Sequence, residues 1–226
     1  MKPLKSEFQD TKALAELGRA SVQIVHDLKN QLNGLKLYAT FLRRRMEKTG
    51  AAADEQETIA KLIAGLERAA SDMSMLVSYG RPLELHRQPR ADLSKILAGL
   101  AGSEGEMKGV RLELEDGSFA GEFDVAALSE AFQAITAGAL QLRRAAGEGA
   151  PVTIRLRRAT GESRPSAVIE WPGIKPDAES DPFYSFAGSG GLRLALAARI
   201  IEAHGGEAGQ TPQALRVRLP VTDDGR

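Results

Sequence analysis

The sequence predicts an α+β fold, in which an antiparallel helical hairpin is followed by an α/β sandwich. Residues 6–79 contain no proline and only four of the chain's 23 glycines, which favours long uninterrupted helices. Gly80-Arg81-Pro82 interrupts this stretch, and short segments of helical and strand periodicity alternate after it. We therefore expect two domains, residues 1–82 and residues 83–226.

The composition excludes several classes of protein. The chain has 226 residues and no cysteine, which excludes disulfide scaffolds, thiolate catalysis and cysteine-ligated metals. Its 30 Lys and Arg residues balance 30 Asp and Glu residues, whereas general nucleic-acid and membrane-surface binders carry a basic excess. No apolar run approaches the roughly 20 residues of a membrane span, and the N-terminus lacks the apolar segment of a signal peptide. We therefore expect a soluble cytoplasmic protein that binds neither nucleic acid nor membrane.

Both predicted helices of the first domain carry an apolar stripe. Its positions are spaced alternately by three and four residues, which is the pattern of a coiled-coil seam. In the second helix the stripe comprises Ile59, Leu62, Leu66, Ala69, Met73, Leu76 and Gly80. In the first helix it comprises Leu14, Leu17, Ser21, Ile24, Leu28, Gln31, Leu35, Tyr38 and Leu42, widened on one side by Val25, Leu32 and Met46. The short link at residues 49–54, with Asp54 as candidate N-cap, makes the helices antiparallel.

A two-helix hairpin cannot bury such a broad apolar face by itself. Pairing with a second copy gives a twofold-symmetric four-helix bundle, so we expect a homodimer formed by the N-terminal hairpin. The alternative is that the stripe packs against the second domain of the same chain.

The second domain alternates helical and strand patterns. Helices are expected at residues 92–101, with Asp92 as the cap, at 124–144, and at 192–204 before Gly205-Gly206. Strands are expected at residues 110–114, 119–123, 152–156, 167–171 and 214–219. Helices that cover one face of a mixed sheet form an α/β sandwich.

His26 is the candidate reactive residue. With Leu28 at heptad position a, His26 falls at f, opposite the seam, and Lys29 and Asn30 follow on the same helix surface. A neutral imidazole can attack a phosphoryl group, a carboxylate such as Asp27 can accept its other N–H, and a cation can balance phosphate charge. The alternative is a solvated helix surface that happens to contain a histidine.

The segment His26, Asp27, Asn30 resembles the H-box of bacterial sensor histidine kinases, in which the phospho-accepting histidine is followed by an acidic residue, two further residues, and Asn or Thr. Gln31 stands where that family usually has a helix-kinking proline. Residues 10–80 are similar to the family's dimerisation and phosphoacceptor domain, and residues 108–220 to its ATPase domain. The resemblance implies that His26 is the phosphoacceptor.

The nucleotide-binding devices of that family are mostly absent from this sequence. The two Asn positions of the long helix, one of which ligates magnesium in the family, fall on Ala134 and Gly138, which offer no oxygen ligand. The family's Asp-x-Gly-x-Gly-Ile pattern, whose Asp binds adenine, corresponds to residues 169–174, with Ile169 at the Asp position. Glu170 replaces that Asp only if the strand shifts by one residue, which turns its side chain to the other face.

The lid and the phosphate-binding turn of the family are also reduced. Pro182-Phe183-Tyr184 resembles the segment that opens the lid, but only residues 185–190 separate it from the last helix. Arg193 replaces the inner glycine of the turn, and the glycine run at residues 188–191 is expected to be a flexible turn or a weak anion site. His204 is expected to be a structural residue at a helix end. We therefore expect no cofactor and no metal site.

Three functions agree with these observations. The first is a phosphorelay protein, similar to dimeric histidine phosphotransferases, in which His26 exchanges phosphoryl groups with response-regulator receiver domains without ATP. In it Asp27 orients His26, while Lys29 and Asn30 contact the phosphoryl group or the receiver. The second is an ATP-dependent histidine kinase whose divergent pocket uses residues such as Glu130, Gln133 or Glu170. The third is a dimeric adaptor without catalysis. A kinase-like fold alone does not decide among them.

Overall fold

The computed structural model describes residues 4–50, 52–101, 110–145, 147, 151–159, 164–174, 181–185 and 188–222, with side chains of the first helix from residue 23 onward. The chain divides into two compact units, residues 1–82 and residues 83–226. The seam positions predicted at Leu14, Leu17 and Ser21 lie outside the described side chains, and positions 186 and 187 of the predicted short lid lie outside the described residues.

Unit 1 is a hairpin of two helices, α1 (Leu4–Thr49) and α2 (Ala53–Gly80). Gly50 lies between them with a positive φ of 70°, a conformation that glycine adopts without strain. The prediction that Asp54 caps α2 is wrong. The capping position is Ala52, whose carbonyl accepts the N–H of Gln56 at 3.1 Å, so Asp54 lies inside the first turn. There its negative charge still favours the positive end of the helix dipole.

The two helices meet through one side of the predicted stripe. Ala39, Ile59 and Ile63 are buried, and Met46 and Leu66 pack against them. Ala39 and Met46 are seven residues apart on α1, which places them on one face together with the half-buried Val25 and Leu32. Lys36 and Glu67 form an ion pair of 2.7 Å between the helices. The Lys36 ammonium, as hydrogen-bond donor and as charge, lowers the pKa of Glu67.

Nine large apolar residues among the described side chains of the hairpin are exposed. They are Ile24, Leu28, Leu35, Leu37, Tyr38, Phe41 and Leu42 on α1, and Leu62 and Leu76 on α2. We call the α1 residues Ile24, Leu28, Leu35, Tyr38 and Leu42, with Leu62 and Leu76 of α2, the seam surface. Their exposed fractions range from 40% at Leu28 to 71% at Tyr38. Unit 1 thus leaves most of its predicted seam outside its own core.

Unit 2 is an α/β sandwich. In chain order its elements are β1 (Gln88–Asp92), α3 (Leu93–Ala101), β2 (Arg111–Leu114), β3 (Ala120–Phe123), α4 (Val125–Ala145), β4 (Thr153–Arg158), β5 (Ser166–Pro172), α5 (Gly188–Ala203), β6 (Glu207–Thr211) and β7 (Ala214–Pro220). Five strands form a sheet in the order β2-β4-β5-β7-β6, and β1 pairs with β3 in a separate two-stranded sheet. Strands β2 and β4 are parallel, and the other pairs are antiparallel. The predicted α+β class is confirmed.

The core of unit 2 lies between the sheet and its three helices. Alternate residues of β5 (Ala167, Ile169 and Trp171) point into this core, together with buried residues of α3, α4 and α5. Glu170 points to the opposite face of the sheet, because successive residues of a strand alternate between faces. Asp92 caps α3 as predicted, with its Oδ1 accepting the N–H of Ser94 at 2.9 Å.

Two strands and part of one helix differ from the sequence-based prediction. Strands β1 and β6 have little apolar alternation, and they form because β3 and β7 pair with their backbones. Helix α5 begins at Gly188 rather than Leu192, so the glycine run is its first turn and not a flexible loop. A Cβ at Gly190 would lie 2.9 Å from Gln141 Oε1, the end of a flexible side chain of α4, so this contact alone does not require glycine.

Candidate functional site

His26 lies on the exposed surface of α1, and its side chain is 53% exposed. Ala39 and Met46, which pack on α2, are seven residues apart, and Val25 lies on the same face of α1. His26 follows Val25 by one residue, so it is rotated by about 100° around the helix axis from the face that packs on α2. The imidazole is therefore accessible to a macromolecular partner. This exposure agrees with the position opposite the seam that the heptad pattern predicts.

The polar neighbours of His26 gather around one ring nitrogen. Asp27 Oδ1 and Asn30 Nδ2 each lie 3.4 Å from His26 Nδ1, which is long for a hydrogen bond but close enough to form one after a small rotation. When Nδ1 carries the proton, Nε2 holds the lone pair of the neutral ring. This arrangement suits an imidazole that attacks through Nε2 while its other nitrogen is held.

Two further residues complete the description of this surface. Lys29 is half-buried, and within the described residues it makes no hydrogen bond or ion pair with His26. Gln23, which the sequence analysis did not single out, donates a hydrogen bond from Nε2 to Asp27 Oδ1 at 3.0 Å. Its spacing of four residues from Asp27 is the signal in the sequence that identifies the contact.

In unit 2, a tryptophan fills the space between α4 and the end of β5. Trp171 is completely buried, and its indole N–H donates to Thr136 Oγ1 of α4 at 2.9 Å. Thr136 is also completely buried and donates to the carbonyl of Phe132 at 2.7 Å. Counted from Ile169, Trp171 stands at the first glycine of the Asp-x-Gly-x-Gly-Ile pattern. The Asp position and the final Gly-Ile of the pattern give no indication of this tryptophan, whereas the position of its first glycine does.

Helix α5 packs directly on α4 beside this tryptophan. A Cβ at Gly138 would lie 3.1–3.2 Å from the side chain of Leu194, which is closer than most Cβ contacts, so Leu194 of α5 packs closely on α4 at this glycine. Leu194 is 4% exposed and belongs to the core of the unit. Gly138, which stands at one of the family's two Asn positions, is therefore in contact with an apolar side chain.

The three residues considered as examples for a divergent nucleotide pocket do not belong to the core between the sheet and the helices of unit 2. Glu170 is buried on the other face of the sheet, where Arg157 at 3.1 Å and Arg216 at 2.7 Å both pair with its carboxylate. Glu130 and Gln133 are exposed on α4, away from its buried positions. The one-residue register shift considered for Glu170 does not occur, since Glu170 pairs with Arg155 and Arg216 across the strands in regular register.

His204 and Asp124 form a structural pair at the ends of two helices, as expected for His204. The Nδ1–H of His204 donates to the carbonyl of Ile200 at 2.7 Å, and its Nε2 accepts the backbone N–H of Asp124 at 3.0 Å. Asp124 in turn caps α4 by accepting the N–H of Ala127 at 3.0 Å, and it accepts the N–H of His86 at 2.7 Å. Burial lowers the pKa of His204, and the hydrogen bond from Ala127 lowers that of Asp124.

The segment before α5 is anchored to the body of unit 2. Phe183 is completely buried, and the hydroxyl of Tyr184 donates to Glu202 Oε1 of α5 at 2.7 Å.

Among the described residues, no group of three or more His, Asp or Glu side chains is placed to hold a metal ion. In the described part of the chain, none of the helices combines the length and the apolar character needed to cross a membrane.

Comparisons with known proteins identify the fold. No protein-family model matches the sequence, and no curated protein is recognisably similar to it. Among solved structures, full-length ShkA in complex with AMPPNP is similar with a TM-score of 0.56 and 17% identity over 90% of this chain. The match spans 46% of ShkA, so this chain corresponds to less than half of that protein.

Two further structures are similar over most of this chain. The histidine kinase AdeS of Acinetobacter baumannii has a TM-score of 0.53 and 14% identity, with 83% of this chain and 96% of AdeS covered. The histidine kinase ThkA, solved in complex with the response regulator TrrA, has a TM-score of 0.57 and 16% identity, with 99% of this chain and 67% of ThkA covered. The chain therefore has the fold of the catalytic core of sensor histidine kinases, a helical hairpin followed by an α/β ATPase-type domain.

Proposed function

We propose that this chain is a phosphotransfer protein of two-component signalling, in which His26 accepts a phosphoryl group from the aspartyl phosphate of a receiver domain and passes it to another receiver. The exposed His26 imidazole, with both polar neighbours at Nδ1, is the observation that carries this proposal. The response regulator bound to ThkA, a protein of the same fold, supports a receiver domain as the kind of partner.

The transfer asks little of this chain beyond a positioned nucleophile. The lone pair of His26 Nε2 forms the N–P bond, the bond between phosphorus and the aspartyl oxygen breaks, and that oxygen leaves as the receiver's carboxylate. Nδ1 keeps its proton, and Asp27 accepts it in a hydrogen bond while the ring carries positive charge. Asn30 and Lys29 lie on the adjoining surface, where they contact the phosphoryl group or the receiver. Most of the catalysis is positioning and charge balance.

The interior of unit 2 supports transfer without ATP. In the family that the sequence resembles, the long helix, the end of the Asp-x-Gly strand and the start of the last helix surround the nucleotide. In this chain the corresponding elements are α4, β5 and α5. Trp171 at the end of β5 is completely buried and bonds Thr136 of α4, and Leu194 of α5 packs on Gly138 of α4. A bound nucleotide would have to displace a packed core, which is unfavourable because protein interiors contain few voids.

The exposed seam surface supports a homodimer. A side chain the size of leucine contributes about 1.5–3 kcal/mol when it is fully buried, and the seven residues of the seam surface are available for burial. A second copy offers the same surface, so a twofold axis pairs these residues into a four-helix bundle.

Phosphotransfer from receiver domains tests the proposal. Receiver domains from the same organism are phosphorylated with acetyl phosphate and incubated one by one with the full chain, and phosphohistidine is then measured. We expect at least one receiver to phosphorylate the wild type, and His26→Ala to reduce this by about 10³-fold or more, as for other lost nucleophiles. His86→Ala is the matched control, because His86 is also exposed. Transfer that survives in His26→Ala rules the proposal out, and binding without transfer indicates an adaptor.

Calorimetric titration with Mg-ATP tests the second part of the proposal. We expect no heat of binding to the wild-type chain. Binding with micromolar affinity, together with phosphorylation of His26 by ATP, would instead identify an ATP-dependent kinase whose pocket opens around Trp171.

A further inference from the structure

The two neighbours of His26 Nδ1 favour opposite tautomers of the neutral ring. The carboxylate of Asp27 accepts a hydrogen bond, so it favours the tautomer in which Nδ1 carries the proton. The amide nitrogen of Asn30 donates, so it favours the tautomer in which Nδ1 holds the lone pair. Only the first tautomer leaves the lone pair of Nε2 available for attack. Both contacts measure 3.4 Å, so distance does not decide between them.

A third residue, Gln23, affects which tautomer of neutral His26 is favoured. The hydrogen bond from Gln23 Nε2 to Asp27 Oδ1, at 3.0 Å, is the shortest of the three contacts in the cluster, and it reaches the same oxygen that faces His26. The side chain of Asp27 is 60% exposed, so without this bond it is free to rotate among its rotamers in solvent. The Gln23 bond therefore holds the carboxylate beside Nδ1.

We propose that Gln23 is a positioning residue, which acts through Asp27 to keep the proton of neutral His26 on Nδ1 and the lone pair on Nε2. This inference rests on the proposed function for its consequence, the rate of phosphotransfer, but the tautomer itself is measurable without any partner. Loss of Gln23 leaves Asn30 as the dominant neighbour of Nδ1 and moves the ring toward the unreactive tautomer.

Nitrogen-15 chemical shifts of the ring test this proposal in the full chain, which contains three histidines. The ring shifts of His26 are assigned by comparison with His26→Ala and recorded where the ring is neutral. We expect Gln23→Ala to lower the ratio of Nδ1–H to Nε2–H tautomers by about twofold, the size expected for an i,i+4 side-chain hydrogen bond. Asn30→Ala should raise the ratio, because it removes the competing donor. Gln23→Lys should retain the ratio, because lysine still donates to Asp27.

Glu47→Gln is the matched control, since it weakens an exposed i,i+4 pair with Arg43 on the same helix and lies far from His26. An unchanged tautomer ratio in Gln23→Ala overturns the proposal, and so does an equal change in Glu47→Gln, which would reflect general loosening of the helix. The phosphotransfer rate of Gln23→Ala should fall in step with the ratio. If the ratio moves but His26→Ala transfers phosphate normally, the positioning role stands and the proposed function fails.

Discussion

The two units of this chain differ in how much of their apolar surface they bury. Unit 2 buries its large side chains and satisfies the polar groups among them, as the Trp171–Thr136 hydrogen bond illustrates. In unit 1 the described residues include a core cluster of three buried side chains, and the seam surface is exposed. The core of unit 2 is completed by residues of one chain, whereas the seam surface of unit 1 is left uncovered within the described residues. The proposals for the two units therefore rest on opposite observations, a packed core in unit 2 and an uncovered apolar surface in unit 1.

The largest expected effect is on the filled interior of unit 2. Trp171→Ala removes a completely buried indole and leaves Thr136 without its donor, so we expect the free energy of unfolding to fall by about 3–5 kcal/mol. Trp171→Phe keeps most of the volume and loses the hydrogen bond, so its cost should be about 1–2 kcal/mol. Urea denaturation followed by circular dichroism measures both. If Trp171→Ala is as stable as the wild type, the indole is not part of a closed core.

The next effect concerns the seam surface of unit 1. Leu35→Asp places a charge in the proposed dimer interface and loses about 1.5–3 kcal/mol of apolar burial in each protomer. We expect the dissociation constant of the dimer to rise by at least about 10²-fold, as measured by analytical ultracentrifugation over a range of concentrations. Leu37→Asp is the control, because Leu37 is 70% exposed and lies outside the seam surface. Dimers that tolerate Leu35→Asp, or wild-type monomers, would contradict the four-helix bundle.

A smaller effect compares one helix cap in each unit. Both Asp54 and Asp92 are predicted N-caps, but Asp92 accepts the N–H of Ser94 two residues further on, as a cap does, whereas Asp54 lies inside the first turn of α2 and accepts the N–H of the adjacent Glu55 at 3.0 Å. Asp92→Ala should therefore lower the free energy of unfolding by about 1 kcal/mol, whereas Asp54→Ala should cost a few tenths of that through the helix dipole. Thermal denaturation of the two variants measures the difference. Equal costs would mean that the cap at Asp92 contributes nothing specific.

The smallest effect is a pH dependence of unit 2. Burial holds the pKa of His204 below its ordinary value, so the unfolded chain takes up a proton more readily than the folded one. Stability is therefore complete above about pH 6.5 and is lost as the pH falls through the folded pKa, by less than about 1 kcal/mol at pH 6. His204→Gln should reduce this slope in denaturation curves recorded from pH 7 to pH 5. The pKa of Asp124 is also lowered, so protonation of this carboxylate reduces stability only at more acidic pH. An unchanged slope in the variant would exclude His204 as its source.

Much of the secondary structure follows from local patterns in the sequence. The apolar spacing predicted both helices of unit 1, and Asp92 and Asp124 marked the starts of α3 and α4 correctly. The errors have two different reasons, one local and one tertiary. Glycine has a low helix propensity, so the first turn of α5 was predicted as a loop, and the polar strand β6 became visible only through its pairing with β7.

In the candidate site, too, helical spacing predicts some contacts and does not predict others. His26, Asp27 and Asn30 lie within one turn of one helix, so their proximity follows from helical geometry alone. Gln23 was overlooked although the same rule places it beside Asp27. Lys29 shares the helix, but the direction of its long side chain does not follow from spacing, and no contact with His26 is formed within the described residues.

The sequence by itself determined the helical hairpin, the boundary near residue 82, and a histidine on the helix surface opposite the seam, because each depends on residues a few positions apart. Only the tertiary structure decided that Trp171 bonds Thr136 of α4, that Leu194 of α5 packs on Gly138, and that Arg157 and Arg216 hold Glu170 on the far face of the sheet. These contacts join residues far apart in the chain. They depend on the volume and direction of side chains after the sheet has formed, which local periodicity does not encode.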